Sequence, residues 1–114
     1  MRLTFCGGAG SVTGANYLLE TERGKFIVDC GIVQGSQFAE AQNLEPFPYD
    51  PAAVDAVLLT HAHADHVGRL PKLVREGLPE VELVIPEQAP FAEAFGAAFL
   101  AADQGPPLPP LAQI

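Results

Sequence analysis

All three histidines of this chain lie within one short segment, and this clustering constrains the sequence more than any other feature. The segment runs from Thr60 to His66 and follows the apolar run of residues 56–59. Neutral imidazole is the commonest protein ligand for a transition metal, and a neighbouring carboxylate suits zinc, iron or manganese. Structural zinc sites are usually richer in cysteine and fill all four positions. Since no cysteine stands nearby, the cluster predicts a metal site with an open position, as in hydrolytic centres. The candidate ligands are His61, His63, Asp65 and His66.

The flanking segments place this cluster at the carboxyl end of a strand. Residues 54–60 predict a short strand buried on both faces, because their apolar run is continuous rather than alternating. Residues 67–76 have helical spacing, with Pro71 in the first turn and Gly77 as the stop. Open α/β sheets bind ligands at the carboxyl ends of their strands. The alternative is a histidine-rich turn that holds no metal, in which case His63→Ala would leave zinc binding unchanged.

The segment His61-Ala62-His63-Ala64-Asp65-His66 resembles the H-x-H-x-D-H signature of the metallo-β-lactamase superfamily of metal-dependent hydrolases. Two upstream stretches resemble the β-CASP branch of RNA-processing nucleases. One is residues 5–19, which include the run Gly-Gly-Ala-Gly-Ser-Val-Thr-Gly. The other is residues 26–35, where a strand ends in Asp29 and a Gln-Gly pair follows. The resemblance covers about residues 1 to 77.

The resemblance implies an α/β fold in which this chain forms about half of a four-layer αββα sandwich. Patterns along the chain predict five short strands and two or three helices. We expect strands at 2–6, 16–21, 25–29, 54–60 and 81–85, and helices at 36–44, 67–76 and 90–102. Residues 1–102 would form the partial domain. The proline-rich residues 103–114 would form an extended or disordered tail.

The resemblance also implies a role for each site residue. His61 and His63 would bind one zinc ion and Asp65 and His66 a second, with Asp65 and His66 taken as the catalytic pair. In the complete enzyme, a hydroxide held by the two zinc ions would hydrolyse an RNA phosphodiester. Asp29 would orient the histidine turn through hydrogen bonds without binding metal. Judged from its sequence position alone, Asp29 could equally cap a helix or turn.

The ligands that complete the family's metal centre are missing from this sequence. The family needs a further histidine, a bridging aspartate and another histidine, yet no histidine follows His66 and the only later aspartate is Asp103. A catalytic zinc normally keeps three protein ligands. We therefore expect weak metal binding and no useful turnover from this chain alone. A homodimer is one arrangement that would complete the ligand set. The alternatives are a small-molecule hydrolase, acting on a thioester or lactone, and a non-catalytic truncated stub.

Composition limits the partners of this chain. Its net charge of −8 repels a polyanion at long range, so the chain alone is a poor non-specific RNA binder. This charge does not exclude RNA as the substrate of the complete enzyme, since bound metal supplies local positive charge. No apolar run approaches the roughly 20 residues of a membrane span, so we expect no membrane partner. Cys6 and Cys30 are interpreted as small buried side chains in a reducing cytoplasm, with a disulfide or a metal role as the alternative.

Overall fold

One four-stranded sheet, with its strands in chain order, carries the first part of the molecule. Its first three strands are antiparallel neighbours, and the fourth joins the third in parallel. The strands are β1 (Arg2–Gly7), β2 (Asn16–Thr21), β3 (Gly24–Cys30) and β4 (Ala56–Leu58). This computed structural model describes residues 1–78 and 81–104. The described residues fall into two units, one ending at Val81 and the other beginning at Glu82.

Short helices connect and follow the strands. They are α1 (Gln37–Ala41), α2 (Ala64–Val67), α3 (Leu70–Glu76) and, in the second unit, α4 (Ala92–Gln104). Single 3-10 turns span Gln42–Leu44, Pro51–Ala53 and Ala89–Phe91. Pro71 lies in the first turn of α3 and Gly77 ends this helix, as the sequence predicted. Among the helices of the described residues, none is both long and apolar enough to cross a membrane.

The two faces of the sheet differ in their burial. Leu18 and Ile27 point to the inner face and pack with Phe47, Val54 and Leu73 in the core. The other face is apolar too, because the strands pair Leu3 with Leu19 and Phe5 with Tyr17. That face is open, with Phe5 62% exposed and Leu58 51% exposed. The chain thus has a mixed α/β fold that corresponds to part of the expected sandwich.

Two strand predictions need correction. Residues 81–85 do not form the expected fifth strand: they pair with none of the strands in the described part of the chain, and Val81, Leu83, Val84 and Ile85 are exposed. A strand needs a hydrogen-bonded neighbour, which an apolar run does not supply by itself. The strand expected at 54–60 is shorter, and it is not buried on both faces since Leu58 and Leu59 are exposed. Residues 103 and 104 still belong to α4, and the rest of the predicted tail lies outside the described residues.

Backbone hydrogen bonds fasten the histidine turn to the end of the sheet. The amide of Ala15 donates to the carbonyl of Asp65 at 3.0 Å, and the amide of Ile32 donates to the carbonyl of Ala64 at 3.1 Å. Gly31 lies between these two bonds. A side-chain carbon at Gly31 would overlap the carbonyl group of Asp65. The close approach of the turn to β3 therefore requires glycine at this position.

The cysteines are free, and Cys30 lies fully buried in the core. Burial raises the pKa of the Cys30 thiol to about 11 and raises the pKa of the partly buried Cys6 thiol as well. A thiolate in an apolar environment loses its hydration, which is the cause of this shift. Both cysteines therefore act as neutral packing groups at physiological pH.

We expect Gly31→Ala to lower the free energy of unfolding by about 1–3 kcal/mol, the usual cost of forcing extra carbon into a packed site. The matched control is Gly96→Ala in α4, where an added side-chain carbon meets open space. Alanine is favoured over glycine in a helix interior by about 1 kcal/mol, so this control should not destabilise the protein. Urea denaturation of both variants provides the measurement, and equal midpoints would contradict the prediction.

We expect the Cys30 thiol to resist labelling in the folded protein at pH 8. With a pKa of about 11, only roughly one thiol in a thousand is ionised at that pH, and the thiolate is the reactive species. A Cys6→Ser variant leaves Cys30 as the single thiol of the chain, so that labelling by a thiol-specific reagent reports on it alone. The fraction of Cys30 labelled should rise with the fraction of protein unfolded by denaturant. Rapid labelling without denaturant would refute the expectation.

Candidate metal centre

The turn after β4 brings the four candidate ligands into one patch. His61 and His63 precede α2 and are exposed, whereas Asp65 and His66 lie in α2 and are partly buried. The ring centres of His61 and His66 are 3.9 Å apart, and those of His61 and His63 are 4.7 Å apart. The carboxylate of Asp65 lies 3.5 Å from Nε2 of His66. The structure therefore gathers all four side chains predicted as ligands.

The buried carboxylate of Asp29 connects this patch to the sheet. Its Oδ1 accepts a hydrogen bond from the backbone amide of Thr60 at 2.8 Å. Its Oδ2 accepts one from Oγ1 of Thr60 at 2.7 Å and lies 2.8 Å from Nδ1 of His66. Asp29 is only 2% exposed, so these bonds are shielded from competing water. The carboxylate thus fixes both the first residue of the turn and the last histidine.

These hydrogen bonds determine which ring nitrogens are free. Because a carboxylate only accepts, Nδ1 of His66 is the donor to Asp29, and in the neutral imidazole Nε2 then has the lone pair. The single hydroxyl proton of Thr60 is also used on Asp29, so Thr60 can only accept from Nδ1 of His61 at 3.0 Å. His61 is then left with a free Nε2 as well. A carboxylate behind the imidazole is the usual way in which a protein orients a metal-binding histidine.

The donor types fit zinc, although the described residues do not complete a ligand set. Imidazole nitrogen and carboxylate oxygen are both common zinc ligands. Within residues 1–78 and 81–104, however, no three histidine, cysteine, aspartate or glutamate side chains are arranged so that they could hold one ion. This finding is compatible with the expected division into two pairs, each supplying two ligands. The side chains present are of the types that bind zinc, but fewer than three of them are arranged around any one position in the described residues.

Three residues that the sequence analysis did not assign to the site help to build it. Thr60 donates its hydroxyl proton to the carboxylate of Asp29 and accepts from Nδ1 of His61, so it connects the two residues. Its polar side chain at the end of an apolar run could have indicated this role from the sequence. Arg69 donates through Nε to the carbonyl of Gly31 at 2.7 Å, beside the turn. Asn16 donates to the backbone carbonyl of Asp29 at 2.9 Å. The contacts of Arg69 and Asn16 join residues far apart in sequence, so no local sequence pattern predicts them.

Comparison with known proteins identifies relatives of the N-terminal two thirds. The chain is 56% identical over 77 residues to "Ribonuclease TTHA0252" of Thermus thermophilus, a match that covers 68% of this chain and 17% of that protein. It is 37% identical over 82 residues to "Transcription termination factor FttA" of Methanosarcina mazei, covering 68% of this chain and 12% of that protein. A shorter match, 51% identical over 38 residues, joins it to "Hydroxyacylglutathione hydrolase" of Aliivibrio fischeri and covers 33% of this chain and 15% of that protein.

This chain spans less than a fifth of the length of each of these relatives. The match to the family is broader. The sequence model described as "Metallo-beta-lactamase superfamily" covers residues 10–113. It includes the histidine turn, Asp29 and the residues that join them, and it confirms the resemblance based on the H-x-H-x-D-H segment. The chain therefore belongs to the metallo-beta-lactamase superfamily.

Proposed function

We propose that the complete protein carrying this segment is a zinc-dependent hydrolase that cleaves RNA phosphodiesters. The observation that carries the proposal is the network from Asp29 through Thr60 to His61 and His66, which engages Nδ1 of both rings and leaves Nε2 of His66 3.5 Å from the carboxylate of Asp65. Such a network prepares imidazoles to bind a cation. The names of the relatives, a ribonuclease and a transcription termination factor, support RNA as the substrate.

In this proposal, His61 and His63 hold one zinc ion, and Asp65 and His66 hold a second. Zinc held by these residues would supply Lewis acidity and would let water act as a nucleophile near neutral pH. Asp29 orients His66 through the 2.8 Å contact with its Nδ1. The exposed rings of His61 and His63 leave the site open to a bulky polymer. The remaining ligands come from outside this segment, and a homodimer is one way to supply them.

The charge of the chain shapes how RNA would bind. With a net charge of −8 the segment repels a polyanion at long range, so metal ions would provide the local attraction at the site. Two free thiols with no disulfide between them suit a reducing compartment, and we place the protein in the cytoplasm.

Thioester hydrolysis is the second candidate function. It is favoured by the match of 51% over 38 residues to a hydroxyacylglutathione hydrolase. A histidine and aspartate turn that binds metal can serve either electrophile, because zinc polarises a carbonyl oxygen as readily as a phosphoryl oxygen. The two candidates differ in substrate and share the proposed metal ligands.

We expect Asp65→Asn to weaken zinc binding by at least about 100-fold, because losing even an outer-shell partner of a metal costs about 10–100-fold. Asp103→Asn makes the same chemical change in α4 and serves as the matched control. Isothermal titration of zinc into the metal-free complete protein measures both affinities. Equal affinities of the two variants, or unaltered binding in His63→Ala, would show that the turn binds no metal.

We expect the complete protein to cleave a short single-stranded RNA, to lose this activity in chelator and to regain it with zinc. In Asp65→Asn, kcat should fall by at least about 100-fold, because the loss of a zinc ligand removes part of the centre that activates water. An acyl-glutathione thioester is assayed in parallel. Hydrolysis of the thioester without RNA cleavage would support the second candidate, and RNA cleavage that persists in chelator would contradict the metal-dependent mechanism.

A further inference from the structure

Asn16 occupies an irregular position shared by two strand pairs. Between β1 and β2, Phe5 pairs with Tyr17 and Gly7 pairs with Asn16, so that Cys6 is passed over. Between β2 and β3, Tyr17 pairs with Val28 and Asn16 pairs with Cys30, so that Asp29 is passed over. A bulge of this kind leaves its extra residue without a ladder partner and redirects its side chain. Asp29 is the extra residue of the second bulge.

The backbone of Asp29 is unusual as well as unpaired. Its φ is +57°, the only positive φ of a non-glycine residue in the described part of the chain. The left-handed region is costly for residues with a side chain. Its carbonyl oxygen receives a hydrogen bond of 2.9 Å from Nδ2 of Asn16, which replaces the bond that the ladder does not provide. The Asn16 side chain therefore stabilises Asp29 in the conformation that directs its carboxylate towards the turn.

The amide of Asn16 carries a cost for stability as well as this benefit. Asn16 is fully buried, and its Oδ1 has no hydrogen-bond partner among the described residues. Its Nδ2 also lies 3.2 Å from the hydroxyl of Tyr49. A buried polar atom without a partner destabilises a fold, so the unpaired Oδ1 is a cost that accompanies the bond from Nδ2 to the Asp29 carbonyl. Sparsely populated backbone conformations such as that of Asp29 cluster at functional sites, and the Asn16 amide supports this one.

We propose that Asn16 is a positioning residue of the metal centre. This inference rests on the proposed function, since it concerns the same site. Among the described residues, the Asn16 side chain makes no hydrogen bond to the four candidate ligands, and it acts through Asp29. Its amide holds the Asp29 backbone, and the Asp29 carboxylate in turn holds the amide of Thr60 and Nδ1 of His66. Without the amide, Asp29 can relax to a negative φ, and its carboxylate turns away from His66.

The second asparagine of this sequence provides a matched control. The side chain of Asn43 also hydrogen-bonds to backbone groups. It donates to the carbonyl of Val33 at 2.8 Å and accepts from the backbone amide of Val33 at 2.7 Å. It makes no hydrogen bond to Asp29 or to the histidine turn. Asn16→Leu and Asn43→Leu each replace an amide with an uncharged side chain of similar size. Neither variant adds a charge that would itself alter metal affinity.

The experiment compares zinc affinity and unfolding midpoints in the complete wild-type protein, Asn16→Leu and Asn43→Leu. We expect the zinc dissociation constant to rise about 10-fold or more in Asn16→Leu, the range found when an outer-shell partner is lost. In Asn43→Leu it should stay within about 2-fold of wild type, since the side-chain hydrogen bonds of Asn43 go to Val33 and not to Asp29 or the histidine turn. A loss of stability without a loss of affinity would mark a merely structural residue.

Equal zinc affinity in wild type and folded Asn16→Leu would overturn this inference while leaving the proposed function intact. Absence of zinc binding by the wild type would overturn the proposed function and this inference with it. If Asn16→Leu does not fold, the wild type labelled with 15N-asparagine provides the test. The side-chain amide resonances of Asn16 should shift on addition of zinc while those of Asn43 stay in place, and unchanged Asn16 resonances would refute the proposal.

Discussion

The site depends on one buried carboxylate, that of Asp29, which accepts three hydrogen bonds. Asp29 ends an antiparallel hairpin, whereas Thr60 and His66 follow the parallel strand beside it. A single aspartate therefore joins two parts of the sheet whose connection runs through more than twenty residues. Bonds to an ionised acceptor are roughly twice as strong as neutral ones, which suits a contact that must hold a loop in one geometry.

The backbone gives this contact its rigidity. Gly31 lets the peptide of Asp65 approach the end of β3, and Arg69 reaches back from the start of α3 to the carbonyl of Gly31. Backbone bonds from Ala15 and Ile32 complete the attachment. The histidine turn is thus fixed at both ends, although its own residues form few regular hydrogen bonds. This support holds the exposed imidazoles of His61 and His63 close together, with ring centres 4.7 Å apart.

The sequence predicted those features whose signal is local. The histidine cluster was evident from spacing, and Pro71 and Gly77 delimited α3 because proline and glycine restrict the backbone directly. The fifth strand was wrong because an apolar run does not reveal whether a neighbouring strand exists to pair with it. The contacts of Asn16 and Arg69 escaped prediction since they join distant residues across a bulge and a helix start. Local sequence patterns therefore predicted the ligand cluster and the ends of α3, but they did not predict hydrogen bonds between residues distant in sequence.

The positive φ of Asp29 restricts which amino acid can occupy that position. Glycine and asparagine tolerate the left-handed region but carry no carboxylate to accept from the turn. Glutamate carries the carboxylate, but it lacks the short side chain that makes this backbone region accessible, and its additional methylene would displace the acceptor oxygens. Aspartate alone satisfies both requirements. Two requirements therefore determine this residue. The histidine turn needs a carboxylate acceptor, and the bulged backbone of β3 needs a side chain that tolerates a positive φ.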